Sequence, residues 1–515
     1  MRGTYGYYTW EDGVRNSGAV NSRNQSVYLQ DTWRAGRRLT FNVGVRMENE
    51  FLPPFKAEVN GVKVANPVSF GWGDKIAPRL GMAWDLKGDG TWKLSSSFGF
   101  FYDTLKYELA RGSFGSDFWF THVYRLNDPD VTKLGRATPG ALGPKVTNYD
   151  NRELPINAQG ELEGIDPGIK PYKSAEATIA LDRQFSPRFV GGIRYTHRHL
   201  LRAIEDIGVL DAEESEVYLI GNPGFGQTRD TGSVYGGQTP NGTFLVPKAS
   251  RKYDSVELRA QGQFGKFNML ASYTWSRLFG NYSGSANSDE SGRQDPGVSR
   301  AFDLPYYYFD ESGSQSPSEG LLGTDRTHAL KVFAYYQINS GLGMTNIGVN
   351  QLVLSGTPDT TSVIYLSAPT LPFGRSDLGR TPAYSQTDLT LTHAFNLDKS
   401  KNRRLRFEVN VRNLFNQDAA ISRVTQLNRS GAISVARLPL NKFFSGYNVF
   451  DYIGTANPSV PLNPIYGLPG ASYRNGGGPV VTGATGGSSS FSARFPNFGA
   501  YQDFRTIRLG VTLTF

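Results

Sequence analysis

The chain ends on RTIRLGVTLTF, residues 505–515, in which apolar and polar side chains alternate strictly. Every odd-numbered position from 507 to 515 is apolar, and the positions between them are polar or glycine. A repeat of two is the spacing of a β-strand with one apolar and one polar face. The most regular strand of the chain thus extends to its last residue, the aromatic Phe515, with one face suited to an apolar environment and the other to water.

The same alternation recurs along the chain. It is found in LTFNVGVRM (39–47), VELRA (256–260), FNMLASYTW (267–275) and LRFEVNVRN (405–413). Sustained helical periodicity is not found in any stretch. The sequence therefore predicts an all-β fold.

Composition narrows the class of protein. The 515 residues are 38% hydrophobic and include no apolar run near the roughly 18–20 residues that a spanning helix needs, which excludes a helical membrane protein. The mean hydropathy of −0.40 remains compatible with a membrane β-barrel, because alternating strands average to a polar value. The absence of cysteine is compatible with export through an oxidising compartment. The net charge of +8 comes without a basic block, so nothing indicates a nucleic-acid partner.

The connections between strands alternate in length. Short turns are predicted at 34–38, 87–90, 185–187, 262–266, 339–343 and 397–402, and long polar segments at 49–75, 104–170, 200–250, 280–324, 357–382 and 417–502. Outer-membrane barrels have short turns on the periplasmic side and long loops outside. Long loops would count against a compact soluble domain. The pattern favours a transmembrane antiparallel β-barrel with long extracellular loops.

We predict about fourteen strands in this barrel. They are expected near 3–10, 24–34, 38–49, 75–86, 91–103, 171–184, 188–199, 251–263, 266–279, 326–338, 343–356, 384–396, 403–416 and 503–515. Residues 116–125 could add a strand above the membrane. With this parity, Phe515 lies at the periplasmic rim.

The two faces of the strands also suit a lipid bilayer. Trp84 and Trp92 flank a KGDG turn on the apolar register, where an aromatic girdle is expected. The alternative is a pair of core tryptophans in a sandwich. The polar register is predicted to line a wet lumen, and its charged residues are Arg46, Glu48, Arg259, Arg404, Arg406, Glu408, Arg412 and Arg508.

Several strand pairs resemble those of one family. The stretch VYLQDTWRAGRRLTFNVGVRME (27–48) is similar to a strand–turn–strand of TonB-dependent outer-membrane receptors. Similarity to the Oar-like branch of that family lies in APRLGMAWD (77–85), TDRTHAL (324–330), LGRTPAYSQTDLTLTHAF (378–395), LRFEVNVRNLFNQ (405–417) and GAYQDFRTIRLGVTLTF (499–515).

The resemblance implies a bacterial outer-membrane location and a 22-stranded barrel closed by an N-terminal plug, with a segment that engages TonB. Residues 1–515 are then expected to be a single barrel domain, the C-terminal portion, since neither a plug nor a coupling segment is recognisable, and MRGTYGYYTWEDGVRN (1–16) is not a signal peptide. The expected partners are outer-membrane lipid and lipopolysaccharide, TonB, and the polypeptide carrying the plug and remaining strands. The terminal strand resembles the address read by the barrel-assembly machinery, with Val511, Leu513 and Phe515 as the assembly signal.

The best candidate for ligand recognition is the loop AFDLPYYYFDESG (301–313), with Tyr306, Tyr307, Tyr308 and Phe309 between acidic residues. Exposed aromatic rings stack on sugars and peptide side chains. Internal packing of a large loop, or an extracellular aromatic girdle, is the favoured alternative.

Metal and enzyme chemistry have weaker support. His197 and His199 face the same way on a strand and could bind a metal, but no third ligand has diagnostic spacing, so a solvated rim is preferred. Asp289, Glu290 and Asp295 could hold Ca²⁺ in a loop, without EF-hand spacing. No cofactor is expected, and in the absence of catalytic motifs the protein is not predicted to be an enzyme.

Two further segments have structural interpretations. In TDRTHAL, Asp325, Arg326 and His328 are expected to fix a strand end through an ion pair and hydrogen bonds. The run RNGGGPVVTGATGGSSSFS (474–492) has the composition of a flexible loop.

The leading functional prediction is the barrel of an Oar-like TonB-dependent transporter that takes up large nutrients, such as an oligosaccharide, a peptide or a metal chelate. One alternative is a structural subunit that docks envelope proteins through its loops. Another is a passive porin closed by the fourteen strands themselves. A plug and coupling segment would favour transport over both alternatives.

Overall fold

The structure is a computed structural model of the chain. It describes residues 3–12, 21–54, 56–59, 61–65, 68–105, 120–150, 165–166, 168–210, 216–225, 248–284, 307–309, 315–317, 319–365, 368–397, 403–426, 433, 438–439, 442 and 498–515.

The described residues are organised almost entirely in strands, with one 3-10 turn, η1 (Val131–Lys133). The strands are β1 (Gly6–Asp12), β2 (Arg23–Ala35), β3 (Leu39–Leu52), β4 (Glu58–Val59), β5 (Val62–Lys63), β6 (Val68–Asp85), β7 (Trp92–Phe101), β8 (Phe120–Leu126), β9 (Lys145–Asp150), β10 (Lys173–Ser186), β11 (Phe189–Arg202), β12 (Glu205–Leu210), β13 (Glu216–Gly221), β14 (Arg251–Phe264), β15 (Phe267–Gly280), β16 (Tyr307–Phe309), β17 (Gln315–Pro317), β18 (Gly320–Leu321), β19 (His328–Ser340), β20 (Gly343–Leu354), β21 (Val363–Tyr365), β22 (Ala368–Thr370), β23 (Tyr384–Asn396), β24 (Arg404–Arg412), β25 (Ala420–Arg423), β26 (Phe498–Tyr501) and β27 (Thr506–Thr514). Within these ranges no helix is long and apolar enough to cross a membrane.

One antiparallel sheet dominates the fold. Its strands follow the order β2-β3-β6-β7-β10-β11-β14-β15-β19-β20-β23-β24-β27, and the short strand β18 joins it beside β15. Each long strand therefore pairs with the next long strand along the chain. This up-and-down order is the one expected for a membrane barrel.

The sequence located these long strands correctly, because period-two alternation is strong in each. Their short connections are tight turns with chemistry to match. In the turn after β6, the Asp85 carboxylate accepts hydrogen bonds from the backbone N–H groups of Gly88 (2.8 Å) and Gly90 (2.9 Å). Gly88 has φ of +81°, a conformation that favours glycine.

The prediction that residues 3–10 form the first strand of the barrel is wrong. Strand β1 belongs to a separate three-stranded sheet, in which it pairs with β8, and β8 pairs with β9. Tyr8 explains the pairing, since its ring stacks on Tyr124 at 5.2 Å and its hydroxyl donates to the Pro139 carbonyl at 2.7 Å. The extra strand expected within 116–125 is confirmed as β8, outside the long sheet.

The pairing registers separate two faces of the long sheet. We call one the apolar face, because it bears the large exposed hydrophobic side chains predicted to contact lipid. Among them are Val27, Leu29, Trp33, Val43, Leu80, Trp84, Phe98, Ile179, Ile193, Leu258, Leu330, Val349, Leu391, Phe407, Ile507, Leu509, Val511 and Leu513. A continuous exposed apolar surface of this extent is typical of a surface that contacts lipid.

The opposite, polar face bears every charged residue that was predicted to line the lumen. Pairing of Glu408 with Gly510, and of Arg259 with Gly192, fixes this register. A few residues depart from the pattern. Asp31 of β2 lies on the apolar face opposite Val43, whereas Leu270 and Phe333 are exposed on the polar face.

Aromatic rings collect on the apolar face near the short turns, which we call the short-turn end of the sheet. Trp33 stacks on Phe41 at 5.6 Å, and the Arg183 guanidinium lies 4.7 Å from the Trp92 ring. Arg183 is thus an interfacial cation on aromatic surface rather than a charge exposed to the middle of the apolar band. The predicted positions of Trp84 and Trp92 on the apolar register near a turn are confirmed.

The opposite, long-loop end carries a small hydrophobic core of its own. Its buried side chains come from strand ends and loops: Leu52, Val64, Val68, Phe70, Leu105, Ile165, Ile204 and Ile220. These residues lie far apart in the sequence, so their packing ties several long connections to one another. That packing positions the loop residues of the site described below.

Candidate functional site

A cavity of about 580 Å³ opens on the polar face at the long-loop end of the sheet. Most of its lining comes from neighbouring strands β7, β10, β11, β14 and β15. The lining residues are Phe101, Asp103, Tyr172, Ser174, Arg198, Leu200, Arg251, Tyr253, Leu278 and Thr324. Two arginines, a carboxylate and three aromatic rings in one concave surface form a site for a polar ligand that also presents a ring or apolar face.

Arg198 is held by a carboxylate on the neighbouring strand. It is the register partner of Glu176 on β10, and its Nε donates to Glu176 Oε2 at 2.8 Å. The Arg198 side chain nevertheless remains 61% exposed. The ion pair therefore orients the guanidinium and leaves much of it accessible to a ligand in the cavity.

Arg251 lies near a buried tyrosine and a buried glutamate, Tyr282 and Glu205. The Tyr282 hydroxyl donates to the fully buried Glu205 carboxylate, and burial raises the pKa of Tyr282 well above its usual value, with Glu205 adding to the effect. Burial likewise raises the pKa of Tyr172 on the cavity wall. Both phenols thus stay neutral hydrogen-bonding groups near the Arg251 charge.

The absence of a side chain at Gly284 leaves the space that the Arg251 guanidinium occupies. A Cβ at this residue would lie 2.6 Å from Arg251 Nη1, and the φ of +92° favours glycine independently. The chain after β15 therefore passes directly over the guanidinium. A larger residue at 284 would displace either that segment or the arginine.

A buried ion pair holds the acidic side of the cavity. Lys75 and Glu50, both almost completely buried, form a salt bridge. Lys75 Nζ also donates to the Asp103 carbonyl at 3.1 Å, and Glu50 Oε1 accepts from the Leu105 N–H at 2.8 Å. Both charges are thereby compensated, and segment 103–105, which carries the lining residue Asp103, is fixed beside β7.

The rest of the polar face carries further ion pairs. Two of them join different strands, Arg259 with Asp182 at 2.5 Å and Arg194 with Glu257 at 3.9 Å. A third, Arg406 with Glu408 at 3.1 Å, lies within β24. Such partly exposed pairs contribute little stability each, but they need water. The polar face is therefore a wetted surface leading away from the cavity.

The loop predicted to recognise a ligand is only partly described. Tyr306 lies outside the described residues, and Tyr307, Tyr308 and Phe309 form β16, which pairs with β17. The proposed calcium ligands Asp289, Glu290 and Asp295, and the run 474–492, also lie outside the described residues. Recognition through the tyrosines therefore stays a prediction.

His197 and His199 do face the same way, with ring centroids 6.3 Å apart. They lie on the apolar face, and His197 Nδ1 is 2.8 Å from Asp254 Oδ1. In the described part of the chain, no group of three or more acidic or histidine side chains could hold a metal ion.

The TDRTHAL segment has the contacts expected of a structural motif. The buried Asp325 carboxylate accepts from the Leu278 N–H and from Arg380, each at 2.5 Å. Arg326 donates to the Ser355 carbonyl at 2.6 Å, and the His328 N–H donates to Ser355 Oγ at 3.0 Å. These bonds join the start of β19 to its two neighbouring strands.

The residues that line the cavity were not predicted from the sequence. Arg198 and Arg251 are 53 positions apart by their numbers, and only strand pairing brings them onto one wall. The one available signal was that Arg251 and Tyr253 begin a strand after a long loop, on the same face.

Comparison with known proteins identifies the family. The sequence profile of the family described as "Outer membrane beta barrel domain" matches residues 4–357, more than half of the chain. The TonB-dependent transporter Oar of Myxococcus xanthus is 27% identical over 435 residues, which cover 80% of this chain. Since they cover 38% of that protein, the chain spans well under half the length of the relative it matches.

Solved structures of outer-membrane proteins are also similar. The outer membrane transporter YddB from Escherichia coli has 10% sequence identity and a TM-score of 0.47, over 80% of this chain and 43% of that one. The FrpB iron transporter from Neisseria meningitidis has 11% identity and a TM-score of 0.40, over 78% of this chain and 43% of that one.

The family match and the sequence similarity to Oar confirm the predictions of an outer-membrane β-barrel and of relatedness to an Oar-like transporter. The exposed apolar face is the surface that a barrel of this kind presents to lipid. The chain belongs to the outer membrane beta barrel domain family of the bacterial outer membrane, and is related in sequence to the TonB-dependent transporter Oar.

Proposed function

We propose that this chain forms the barrel of an outer-membrane transporter that takes up large polar nutrients with energy supplied through TonB. The observation that carries the proposal is the cavity on the polar face, because it lies beneath the long loops at one end of a wetted surface. Its Arg198 and Arg251 side chains suit anionic groups, and its Phe101, Tyr172 and Tyr253 rings suit sugar faces or peptide side chains. An oligosaccharide, a peptide or a metal chelate all present such groups.

A growth experiment in the native organism tests this function. The chromosomal gene would carry Arg198→Ala together with Arg251→Ala, and growth would be followed with oligosaccharides, peptides or iron chelates as the limiting nutrient. We expect slower growth on one nutrient class, and an equal loss in the wild type when TonB is deleted. The control is Arg406→Ala, a polar-face arginine at the short-turn end. Undiminished growth of the cavity variant on all three classes, at normal outer-membrane levels, would contradict the proposal.

The alternative function, a passive porin closed by this chain alone, requires β2 and β27 to pair with each other. Among the described residues, β2 hydrogen-bonds only β3, and β27 only β24. In hydrocarbon, unpaired backbone groups on such edges cost several kcal/mol each. We propose that β2 and β27 each pair with polypeptide outside the described residues, which carries further strands and a plug.

Cysteine cross-linking distinguishes the two arrangements, and the chain has no native cysteine to interfere. A Gln30→Cys, Arg508→Cys variant places one thiol on the polar face of each edge strand. In a porin closed by this chain alone, β2 and β27 would be neighbours. At least one pair of cysteines along the two strands would then be opposite each other, and oxidation would link them within one molecule. We expect no intramolecular link for a panel of pairs along both strands, whereas a Gly44→Cys, Gln30→Cys pair on neighbouring β3 and β2 should form one. An efficient β2–β27 link would instead establish closure.

A further inference from the structure

The apolar face changes character at the long-loop end of β11, β14 and β15. Strand pairing places Tyr195, Val256 and Trp275 in one row across these strands. The next row contains His197, Asp254 and Arg277, and the last contains His199, Lys252 and Phe279. Every member is on the register of the apolar face, so the three rows continue the lipid-facing surface toward the rim.

One carboxylate is present in this group, and it is engaged locally. Asp254 Oδ1 accepts from the Tyr195 hydroxyl at 2.6 Å and lies 2.8 Å from His197 Nδ1. The Arg277 guanidinium instead lies over the Phe279 ring at 4.6 Å from its centroid. Lys252 and Arg277 are both exposed, and neither has a carboxylate at salt-bridge distance among the described residues.

Two further lysines flank the rows, each over aromatic rings. Lys248 is 5.0 Å from the Phe225 ring centroid and is close enough to His199 to act on it electrostatically. Lys173 at the start of β10 is 4.2 Å from the Phe100 ring and 5.6 Å from Tyr102. We call Lys173, Lys248, Lys252 and Arg277 the rim cations.

The depth of these residues matches the layers of a membrane surface. Ile193 and Leu258 continue the exposed apolar band below the rows. Trp275, 42% exposed, begins the transition, and an indole at this position is typical of the membrane–water interface. Arg277 lies two residues farther along the strand, which is about 7 Å at the usual rise. The cations therefore lie at the level of lipid headgroups.

From this arrangement we infer a binding site for the phosphate group of an outer-leaflet lipid, formed by Lys252 and Arg277 and flanked by Lys173 and Lys248, with acyl chains packed below on Ile193, Leu258 and Trp275. The charge is complementary, because Lys252 and Arg277 are exposed with no carboxylate at salt-bridge distance among the described residues, and Asp254 is engaged by Tyr195 and His197. The neighbouring surface is apolar, which a free phosphate ion would not require. The site requires that the protein lies in the outer membrane but does not require that it transports a nutrient. It is on the opposite face of the sheet from the transport cavity.

The test compares lipid probes on the full chain in detergent micelles. The probes are bisphosphorylated lipid A and the same lipid after enzymatic removal of its phosphates, with retained lipid counted by native mass spectrometry. We expect the wild type to retain the phosphorylated form, and a Lys252→Gln, Arg277→Gln variant to bind it about tenfold more weakly, since cations at a membrane surface act nearly additively. The matched control, Arg46→Gln with Arg406→Gln, removes the same charge from the polar face and should bind as the wild type does.

Three outcomes would overturn the site: equal retention by the rim and control variants, equal retention of the dephosphorylated lipid, or displacement by millimolar inorganic phosphate, which would indicate a free-anion site. If the glutamine variant does not fold, Lys252→Arg with Arg277→Lys replaces it. That variant keeps both charges and must retain the lipid. Since no measurement involves uptake, failure here leaves the proposed transport function unaffected, and failure of transport leaves this site unaffected.

Discussion

Arg259 of β14 and Asp182 of β10 form an ion pair of 2.5 Å although a third strand, β11, runs between theirs. Gly192 of β11 is the register partner of both residues. A Cβ at this glycine would lie 2.2 Å from Asp182 Oδ1 and 3.2 Å from Arg259 Nε. The ion pair therefore occupies the space that the missing side chain leaves on the polar face.

Replacing Gly192 with alanine should break this pair. The added methyl group forces Asp182 away, and because both partners are partly exposed we expect a loss of about 1 kcal/mol in the free energy of unfolding. Urea unfolding in lipid vesicles would measure it. The control is Gly348→Ala, where the new Cβ meets only Thr390 at 3.7 Å and stability should stay constant or rise slightly. Equal effects at the two glycines would contradict the account.

The two faces of β24 allow a direct test of the lipid-facing register. Phe407 is exposed on the apolar face, where an arginine near the middle of the bilayer costs about 2–4 kcal/mol. Glu408 is adjacent and lies on the polar face, where Glu408→Arg loses the partly exposed pair with Arg406 and a hydrogen bond from Asn410 Nδ2, at a cost of about 1 kcal/mol. Reversible folding into lipid should show Phe407→Arg to be the more destabilising change. Similar costs would mean that the faces are assigned wrongly.

The stability of the protein should depend strongly on the cation that pairs with the Asp325 carboxylate. The Asp325 side chain is fully buried and accepts from Arg380, which comes from the connection before β23. Arg380→Met leaves a buried, uncompensated charge and should cost about 3–5 kcal/mol, measured by urea unfolding. A matched change, Arg406→Met, removes an exposed arginine and should cost less than about 1 kcal/mol. Adding Asp325→Asn to Arg380→Met should recover part of the loss, and no recovery would count against a charge effect.

The sequence predicted the long sheet well for a physical reason. Each long strand has one face in contact with lipid and the other in contact with water, so its apolar and polar residues alternate strongly. This alternation, together with the short turns, sets the register of pairing. Strand β1 alternates equally well, as Tyr8 and Trp10 show, yet it pairs with β8. Alternation reports two unlike faces and not which sheet a strand joins, so this error could not be seen from the local pattern.

The cavity could not be predicted for a different reason. Its lining residues, such as Phe101, Arg198 and Leu278, belong to strands widely separated in sequence. Each looks like an ordinary strand-end residue until the pairing is known. The same holds for Arg259 and Asp182, whose contact depends on the absence of a side chain at Gly192. The TDRTHAL motif was predictable in role, because its charged residues are adjacent in sequence and lie at the start of a strand.

Asp359 should make the loop region sensitive to pH. Burial raises the pKa of this carboxyl, although Arg423, whose Nε is 3.1 Å from Asp359 Oδ2, opposes the shift. As pH rises, the unfolded chain loses the Asp359 proton before the folded protein does. This contribution to stability is therefore complete below the ordinary aspartate pKa and is lost as pH rises through the raised value.

Comparison with Asp359→Asn isolates this contribution. The variant should match the wild type at low pH and become the more stable protein as pH approaches neutrality, as followed by thermal unfolding across the pH range. Asp128→Asn provides a contrast of opposite sign, because a hydrogen bond from Lys133 holds the pKa of Asp128 below its usual value. There the wild type should gain stability over the variant as pH rises. A pH-independent difference for Asp359→Asn would exclude the proposed linkage.

Phe515 is predicted to matter for assembly more than for the finished fold. It follows β27 at the short-turn end, where Thr514 pairs with Arg404, and its side chain is 94% exposed. So exposed a ring contributes little packing, and Phe515→Asp should hardly alter the stability of the folded protein. If Val511, Leu513 and Phe515 form the address read by the barrel-assembly machinery, the same change should lower the amount of protein in the outer membrane of cells several-fold. Yield in isolated outer membranes is compared with refolding yield in detergent, where no machinery is present, and Thr514→Asp serves as the polar-face control. A loss in cells without a loss in detergent supports the address. Equal yields in cells for Phe515→Asp and the wild type would show that recognition depends on other residues.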